Sequence, residues 1–536
     1  MTHEPSHDSR ASSHSTRAAA PRRAGFLERA SGVLLHPTSL AGPFESGDLG
    51  PEAHAFVDFL AAAGVRWWQM LPIGPVGPGA SPYASTSVFA GSPLLVSLQR
   101  LREDGLLDAS DPALLPASPL TRRVDFASAI ERRKRALTTA FERSQALPER
   151  RERLEAYSSK NAFWLDDYAT FAALKSHFEG KPFFAWPADV RRRDADAIAA
   201  FRREHASEVL REKFVQARFS EDFHALAAYA RSRGVSLMGD APIYVAHDSA
   251  EVWAHPELFL LDKDGDPTVV AGVPPDAFSD EGQLWGNPLY DWAYHERTNF
   301  GFWIARIEHQ VRYFDALRLD HFIGFSRYYA VERTAKDAKK GVFHDVPGNA
   351  MFEAVYKALG PIELVAEDLG VVTDAVKALR DHFRLPGMNI LQFSFSPDAG
   401  AEPSRPHNYA AHSIVYTGTH DNDTAVGWVS TPPLDAAEEG KVRYAKERAF
   451  ALEYLGLPSD ASPRAFATEL VRAAFRSHAR TAIVPVQDLL GLGRDARMNR
   501  PGVAEGNWEF RLLPGELTDE VGRELRRLGE LYGRHT

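Results

Sequence analysis

The chain has 536 residues, with 62 basic against 72 acidic side chains for a net charge of −10, 44% hydrophobic and 25% charged residues, and no cysteine. This is the composition of a soluble globular enzyme; it excludes disulfides, thiolate metal sites and cysteine nucleophiles, and disfavours nucleic acid or any other polyanion as a partner. No apolar run reaches the length of a membrane span, so no membrane partner is expected and the cytoplasm is the default compartment.

Residues 1–24 are rich in Ser, His, Arg and Ala without an apolar central segment. They read as a disordered tail rather than a secretory signal, with the folded part over 25–536. The first two strand candidates are "SGVLLHPTSL" and "VRWWQMLPIGP", where Trp67 and Trp68 point to opposite faces and both read as packing. The segment from about 99 to 225, rich in helix formers and charge, is far longer than the connections of about 4–6 residues usual in compact domains, so it predicts an inserted helical subdomain. After the third candidate, "VSLMGDAPIYV", a second insertion over about 246–295 is loop-rich. Its "DKDGD" resembles a calcium loop but has Pro267 and Val273 where an EF-hand needs Gly and Glu, so a hairpin turn is expected. The remaining candidates are "FDALRLDHF", "IELVAEDLG", "MNILQFSF", "HSIVYTGTHD" and "TAIVPVQDLL"; after the second of these Thr373 is placed to cap a helix. Eight apolar runs with helices between them predict an α/β fold, a (β/α)8 TIM barrel with helical insertions on its C-terminal face.

In such a barrel the chemistry sits at the C-terminal ends of the strands, where this sequence supplies Asp240, Asp320, Glu367 and Asp421. Four converging carboxylates repel one another unless a cation or a substrate compensates. If 316–322 is a strand, Arg318 and Asp320 share one face, so the arginine keeps Asp320 ionised while Glu367, between Val365 and Leu369, retains its proton. Neighbouring strands about 4.8 Å apart would bring these carboxyls to roughly 5–6 Å, the spacing of retaining glycosidic chemistry. A metal site is the competing reading of "GTHDNDT", with His420, Asp421 and Asp423 close in sequence, but further convergent ligands are not found nearby, so no metal is expected. There is no phosphate loop and no dinucleotide fingerprint, so no nucleotide cofactor is expected either.

The motifs "GVLLHPTSL", "SPYASTSVFAGSPLLVSL", "GDAPIYVAHDSAEVW", "GVPPDAFSDEGQLWGNPLYDW", "RLDHFIGF", "VAEDLG", "GTHDNDT" and "MNRPGVAEGNWEFR" resemble, in order and over essentially the whole chain after the tail, the signatures of the amylomaltases, the 4-alpha-glucanotransferases of the alpha-amylase superfamily. The resemblance implies cofactor-free transfer of alpha-1,4-glucan segments between maltooligosaccharides and glucose. It implies Asp320 as nucleophile, Glu367 as acid/base and Asp421 as transition-state stabiliser, with Tyr83, Asp240, Gln283, Trp285, Asn287, Arg318, His420 and Asn499 binding substrate. Ala277 stands where the family often carries an aromatic residue. A hydrolase of the same superfamily would share every carboxylate, and a glucan-binding protein without catalysis would need none of them. The loop from Gly272 to Trp292 is the candidate shield against water. Oligomeric state is not legible in the sequence.

Overall fold

The computed structural model describes residues 26, 28–117, 119–275, 281–432 and 438–535, with the side chain of residue 399 also outside that set. The tail over 1–24 and Ala277 therefore lie outside the described residues. Eight short runs form the frame: β1 (Ala30–Leu34), β2 (Trp67–Gln69), β3 (Ser236–Ala241), β4 (Ala316–Leu319), β5 (Leu364–Ala366), β6 (Gly387–Ile390), β7 (Ser413–Tyr416) and β8 (Thr481–Pro485). All but one of their residues are buried, as expected where one face fills a barrel and the other is covered by helices. They pair in parallel in the cyclic order β6-β7-β8-β1-β2-β3-β4-β5. The two ends of the sheet meet where the N–H of Ala366 donates to the carbonyl of Pro386 at 3.0 Å. This is the (β/α)8 barrel the strand pattern predicts. Trp67 and Trp68 are both buried, the first stacked on Phe26 and the second edge-on to Phe56.

Local chemistry sets the helices. Thr373 accepts from the N–H of Val376 at the start of Asp374–His382, and Ser462 does the same for Ala465 ahead of Pro463–Arg476. Between β2 and β3 the long connection is helical, its main elements being Phe126–Gln145, Pro148–His177, Ala195–Glu204 and Ala206–Ser232. The last of these runs past residue 225 almost to β3, because its C-terminal half buries Phe219, Phe223, Leu226 and Ala230. One helix thus ends the insertion and also serves as the barrel helix ahead of β3.

The 246–295 region departs from its loop-rich expectation. Val269–Val273 and Gln283–Pro288 are antiparallel strands, and Arg327–Glu332 with Gly341–Asp345, both after β4, complete a four-stranded antiparallel sheet. The β-branched and aromatic runs "TVVAGV" and "RYYAVE" suit strands, but their pairing is non-local and leaves no short-range turn signal to read. "DKDGD" does form a tight turn, with the Asp262 carboxylate accepting from the N–H groups of Asp264 and Asp266 and a bridge between Leu261 and Pro267 closing it. No helix among the described residues is long and apolar enough to cross a membrane.

The register of β3 against β4 rests on one close approach. A Cβ on Gly239 would stand 2.3 Å from Cδ2 of Phe314, a distance no side chain adopts without displacing its neighbour. Gly239→Ala is therefore expected to destabilise the protein by about 1–3 kcal/mol. Denaturant unfolding checks this, and an unchanged midpoint would mean that Phe314 is free to move aside.

Candidate active site

β3 and β4 put Asp240 directly opposite Arg318. Both side chains are buried, and Nη1 of Arg318 donates to both oxygens of Asp240 and to Oδ1 of Asp320, each at 2.8 Å. Asp240 also accepts from the hydroxyl of Tyr83 at 2.8 Å, while the Asp320 side chain keeps 26% of its surface open. One cation thus holds one enclosed carboxylate and one that faces space. Burial alone would drive Arg318 toward losing its proton, but Asp240 and then Asp320 outweigh it and raise its pKa well above the usual value. For Asp240 burial dominates and pushes the carboxyl up against the pull of Arg318.

The strand expected over 316–322 ends at Leu319. The N–H of Asp320 still donates to the Ala241 carbonyl at 3.0 Å, and His321 then enters the left-handed region at φ 50° and ψ 53°, starting a tight turn over Phe322–Phe325. This turn aims the His321 N–H at Oε2 of Glu367, 2.6 Å away, and the Phe322 N–H at the Glu367 carbonyl, 2.9 Å away. Glu367 is shifted well up from an ordinary glutamate, first by burial and further by Asp320, against Arg318 and the His321 N–H. The neighbouring Asp368 is occupied elsewhere, accepting from Arg380 at 2.6 Å and from the N–H of Met388 at 2.8 Å. Two carboxyls on adjacent strands therefore differ in kind: Asp320 held by a cation and partly open, Glu367 enclosed and disposed to keep its proton.

The third carboxylate comes from the loop after β7. Asp421 accepts from Nδ2 of Asn499 at 2.6 Å and lies 3.3 Å from Nε2 of His420. Burial pushes its carboxyl up, but His420 and Asn499 together more than reverse that and hold it well below the carboxylate range. Asp423 turns away to Arg494 at 2.5 Å, so the acidic residues of "GTHDNDT" do not converge. Tyr83 stacks on His420 with ring centroids 5.0 Å apart, and Trp508 packs against both rings. Burial and then Asp240 hold the Tyr83 hydroxyl well above the ordinary phenol range, so it stays a donor.

Gln283, Trp285 and Asn287 share the outer strand Gln283–Pro288 of the small sheet. The Trp285 indole, 37% exposed, donates to Oε1 of Gln283 at 3.1 Å and meets the His321 ring edge-on at 4.8 Å. Asn287 donates to the Val245 carbonyl at 3.0 Å. The sequence-predicted residues thus form a carboxylate centre around Arg318, a wall of Tyr83, His420 and Asn499, and a platform at Trp285. Arg318 and Asp240 are buried, Arg318 bonded to Asp320 and Asp240 to the Tyr83 hydroxyl. Sequence reasoning passed over Trp508, whose signal was the aromatic in "EGNWEFR", and His321, which stands beside Asp320 in the motif itself. It also passed over Arg497, which donates to the Asp421 carbonyl at 2.5 Å.

A protein-family model described as 4-alpha-glucanotransferase, of glycoside hydrolase family 77, matches residues 35–517. The 4-alpha-glucanotransferase of Thermus thermophilus is 46% identical over 514 residues, covering 94% of this chain and 99% of the relative. That of a Synechocystis strain is 44% identical, covering 95% and 98%. Among solved structures, amylomaltase from Streptococcus agalactiae in complex with acarbose superposes with a TM-score of 0.89 at 35% identity, covering 95% of this chain and all of that one.

Removing the buried cation leaves Asp240 without its counter-charge. Arg318→Met is expected to cost roughly 3–5 kcal/mol, whereas Asp320→Asn, which removes a like charge near Asp240, changes stability by less than about 1 kcal/mol. Equilibrium unfolding of the two variants checks the contrast; equal losses would mean that Arg318 is held by its surroundings rather than by Asp240.

Proposed function

The chain belongs to the 4-alpha-glucanotransferases of glycoside hydrolase family 77, and from that premise we propose that it moves alpha-1,4-glucan segments to the 4-hydroxyl of glucose or a maltodextrin by retaining double displacement. The observation that carries the reading is the pair of unlike carboxyls just past the ends of β4 and β5, with Arg318 bonded to Asp320 and burial raising Glu367. In the first half-reaction an oxygen of Asp320 attacks the anomeric carbon of the donor while Glu367 gives its proton to the departing glycosidic oxygen. The bond between sugar and leaving segment breaks, and a glycosyl ester on Asp320 replaces it. In the second half Glu367, now ionised, takes the proton of an acceptor hydroxyl, whose oxygen attacks the same carbon and frees Asp320. Asp421, held ionised by His420 and Asn499, offers oxygens to the hydroxyls of the ring under attack and to its developing positive charge. Tyr83 and Trp285 supply flat apolar surfaces suited to sugar CH faces.

Transfer rather than hydrolysis requires that a sugar, not water, resolve the ester. The strand carrying Gln283, Trp285 and Asn287 lies beside the centre through the contact of Trp285 with His321 and supports that role. We take the cytoplasm as the compartment in which it acts.

Incubation with maltotriose, products resolved by size, is expected to give glucose together with longer maltodextrins; shortening alone would identify a hydrolase. Asp320→Asn should reduce turnover by roughly 10³-fold or more while glucan binding persists, and retained activity would remove Asp320 as nucleophile. Trp285→Ala should raise hydrolysis relative to transfer, an unchanged ratio taking this strand out of the argument. Because the raised Glu367 retains its proton beyond the range of an ordinary glutamate, kcat/KM is expected to persist on the alkaline side and to fall only as pH passes the elevated pKa. A pH profile that falls at the usual carboxylate range would contradict this assignment.

A further inference from the structure

His321 has no part in the chemistry above, yet it touches three parts of the site at once. It follows Asp320 directly, its N–H reaches Oε2 of Glu367 at 2.6 Å, and its ring meets Trp285 at 4.8 Å with the planes 82° apart. The backbone that allows this is unusual: φ 50° is a region that side chains enter only at a cost, histidine more readily than most. Room for the ring comes from Gly324, where a Cβ would stand 3.1 Å from Cδ2 of His321 and 2.6 Å from Cδ1 of Ile243. Tyr244 completes an aromatic cluster, 6.0 Å from Trp285 and 6.3 Å from His321.

Building on the transfer mechanism, we propose that His321 is a positioning residue with two separable tasks: its left-handed backbone fixes which oxygen of Glu367 carries the transferable proton, and its ring holds the Trp285 sugar platform. An oxygen that already accepts a short N–H bond is the poorer site for a proton, because the hydroxyl oxygen of a protonated carboxyl is a weaker acceptor than its carbonyl oxygen. The proton therefore resides on Oε1, and in the second half-reaction the same oxygen takes the proton from the acceptor. The ring's task is apolar. Burial, opposed by Asp320, lowers the His321 pKa to about 4, so the imidazole meets the indole as a neutral ring in a near-perpendicular contact.

The two tasks are separated by variants that treat backbone and ring differently. His321→Asn keeps a residue at ease in the left-handed region but removes the ring; His321→Ala removes the ring and also makes that conformation costly. For His321→Asn the expected result is a KM for maltotriose raised about three- to tenfold with a larger hydrolytic share, and an alkaline limb of kcat/KM left in place. His321→Ala is expected to lose a further roughly tenfold in kcat. Its alkaline limb should also move to higher pH, because an N–H turned away as the backbone leaves the left-handed region no longer favours ionised Glu367. Combining His321→Asn with Trp285→Ala should add little to Trp285→Ala alone if the ring acts through the indole. Full additivity, or a His321→Asn variant with wild-type KM and product ratio, would overturn the ring's task. An Ala variant with the limb and kcat of the Asn variant would overturn the backbone's. Wild-type maltotriose disproportionation is run alongside, and its failure would sink the transfer reading rather than the role of His321.

Discussion

The site depends on one guanidinium buried between two strands. Among the described residues Arg318 is the one cation bonded to both Asp240 and Asp320, and the parallel register sets it opposite Asp240. Burying such a group is costly unless every donor and acceptor finds a partner. For Asp240 the barrel meets that demand with Arg318 on both oxygens and the Tyr83 hydroxyl on one. The register is itself reinforced on the same strand pair. Asp315 exchanges hydrogen bonds with the backbone of Leu237, and Gly239 admits Phe314 where any side chain would push the strands apart.

From that fixed charge the division of labour follows without further machinery. Asp320 is bonded to the cation and partly open, whereas Glu367 is buried and near a like charge, and Arg318 and the His321 N–H only partly offset this. The same side-chain chemistry placed in two environments gives a nucleophile and a proton donor. The turn that separates them, entered at the left-handed His321, is where β4 stops being a strand. A regular continuation would have pointed the His321 N–H along the ladder instead of at Glu367.

Much of this was legible in the sequence because it is local. The barrel strands are short apolar runs ending in Gly, Pro or charge, Thr373 marks its helix by its position, and the carboxylates stand at strand ends where the fold puts reactivity. What escaped is what depends on distant partners. The antiparallel sheet joins strands from before and after β4, so no run of residues announces it. β4 ends at Leu319 with no breaker in "LRLDHF", and the turn beyond it bonds to Glu367, more than forty positions away. Asp240 looks like another strand-end carboxylate in the sequence; only its bonds with Arg318 and Tyr83 set it apart.

The helical insertion, seemingly remote from the chemistry, connects to it through the segment that follows Tyr83. Gln216 on the long helix Ala206–Ser232 brackets Gly91, accepting from its N–H at 2.8 Å and donating to its carbonyl at 3.0 Å. His309 and Gln310, on the helix ahead of β4, bond to the carbonyls of Phe89 and Val88, and Glu251 accepts from the hydroxyl of Ser87 at 2.6 Å. Backbone groups in a segment without regular structure need such partners when buried. Side chains from the insertion and from a barrel helix supply them here, while Glu251, on the short helix Ala250–Ala254 after β3, holds the Ser87 hydroxyl. Tyr83 can therefore hold one ring against His420 and one hydroxyl on Asp240 without belonging to a strand or a long helix. Through Gln216 the insertion thus braces the segment that follows one wall of the site.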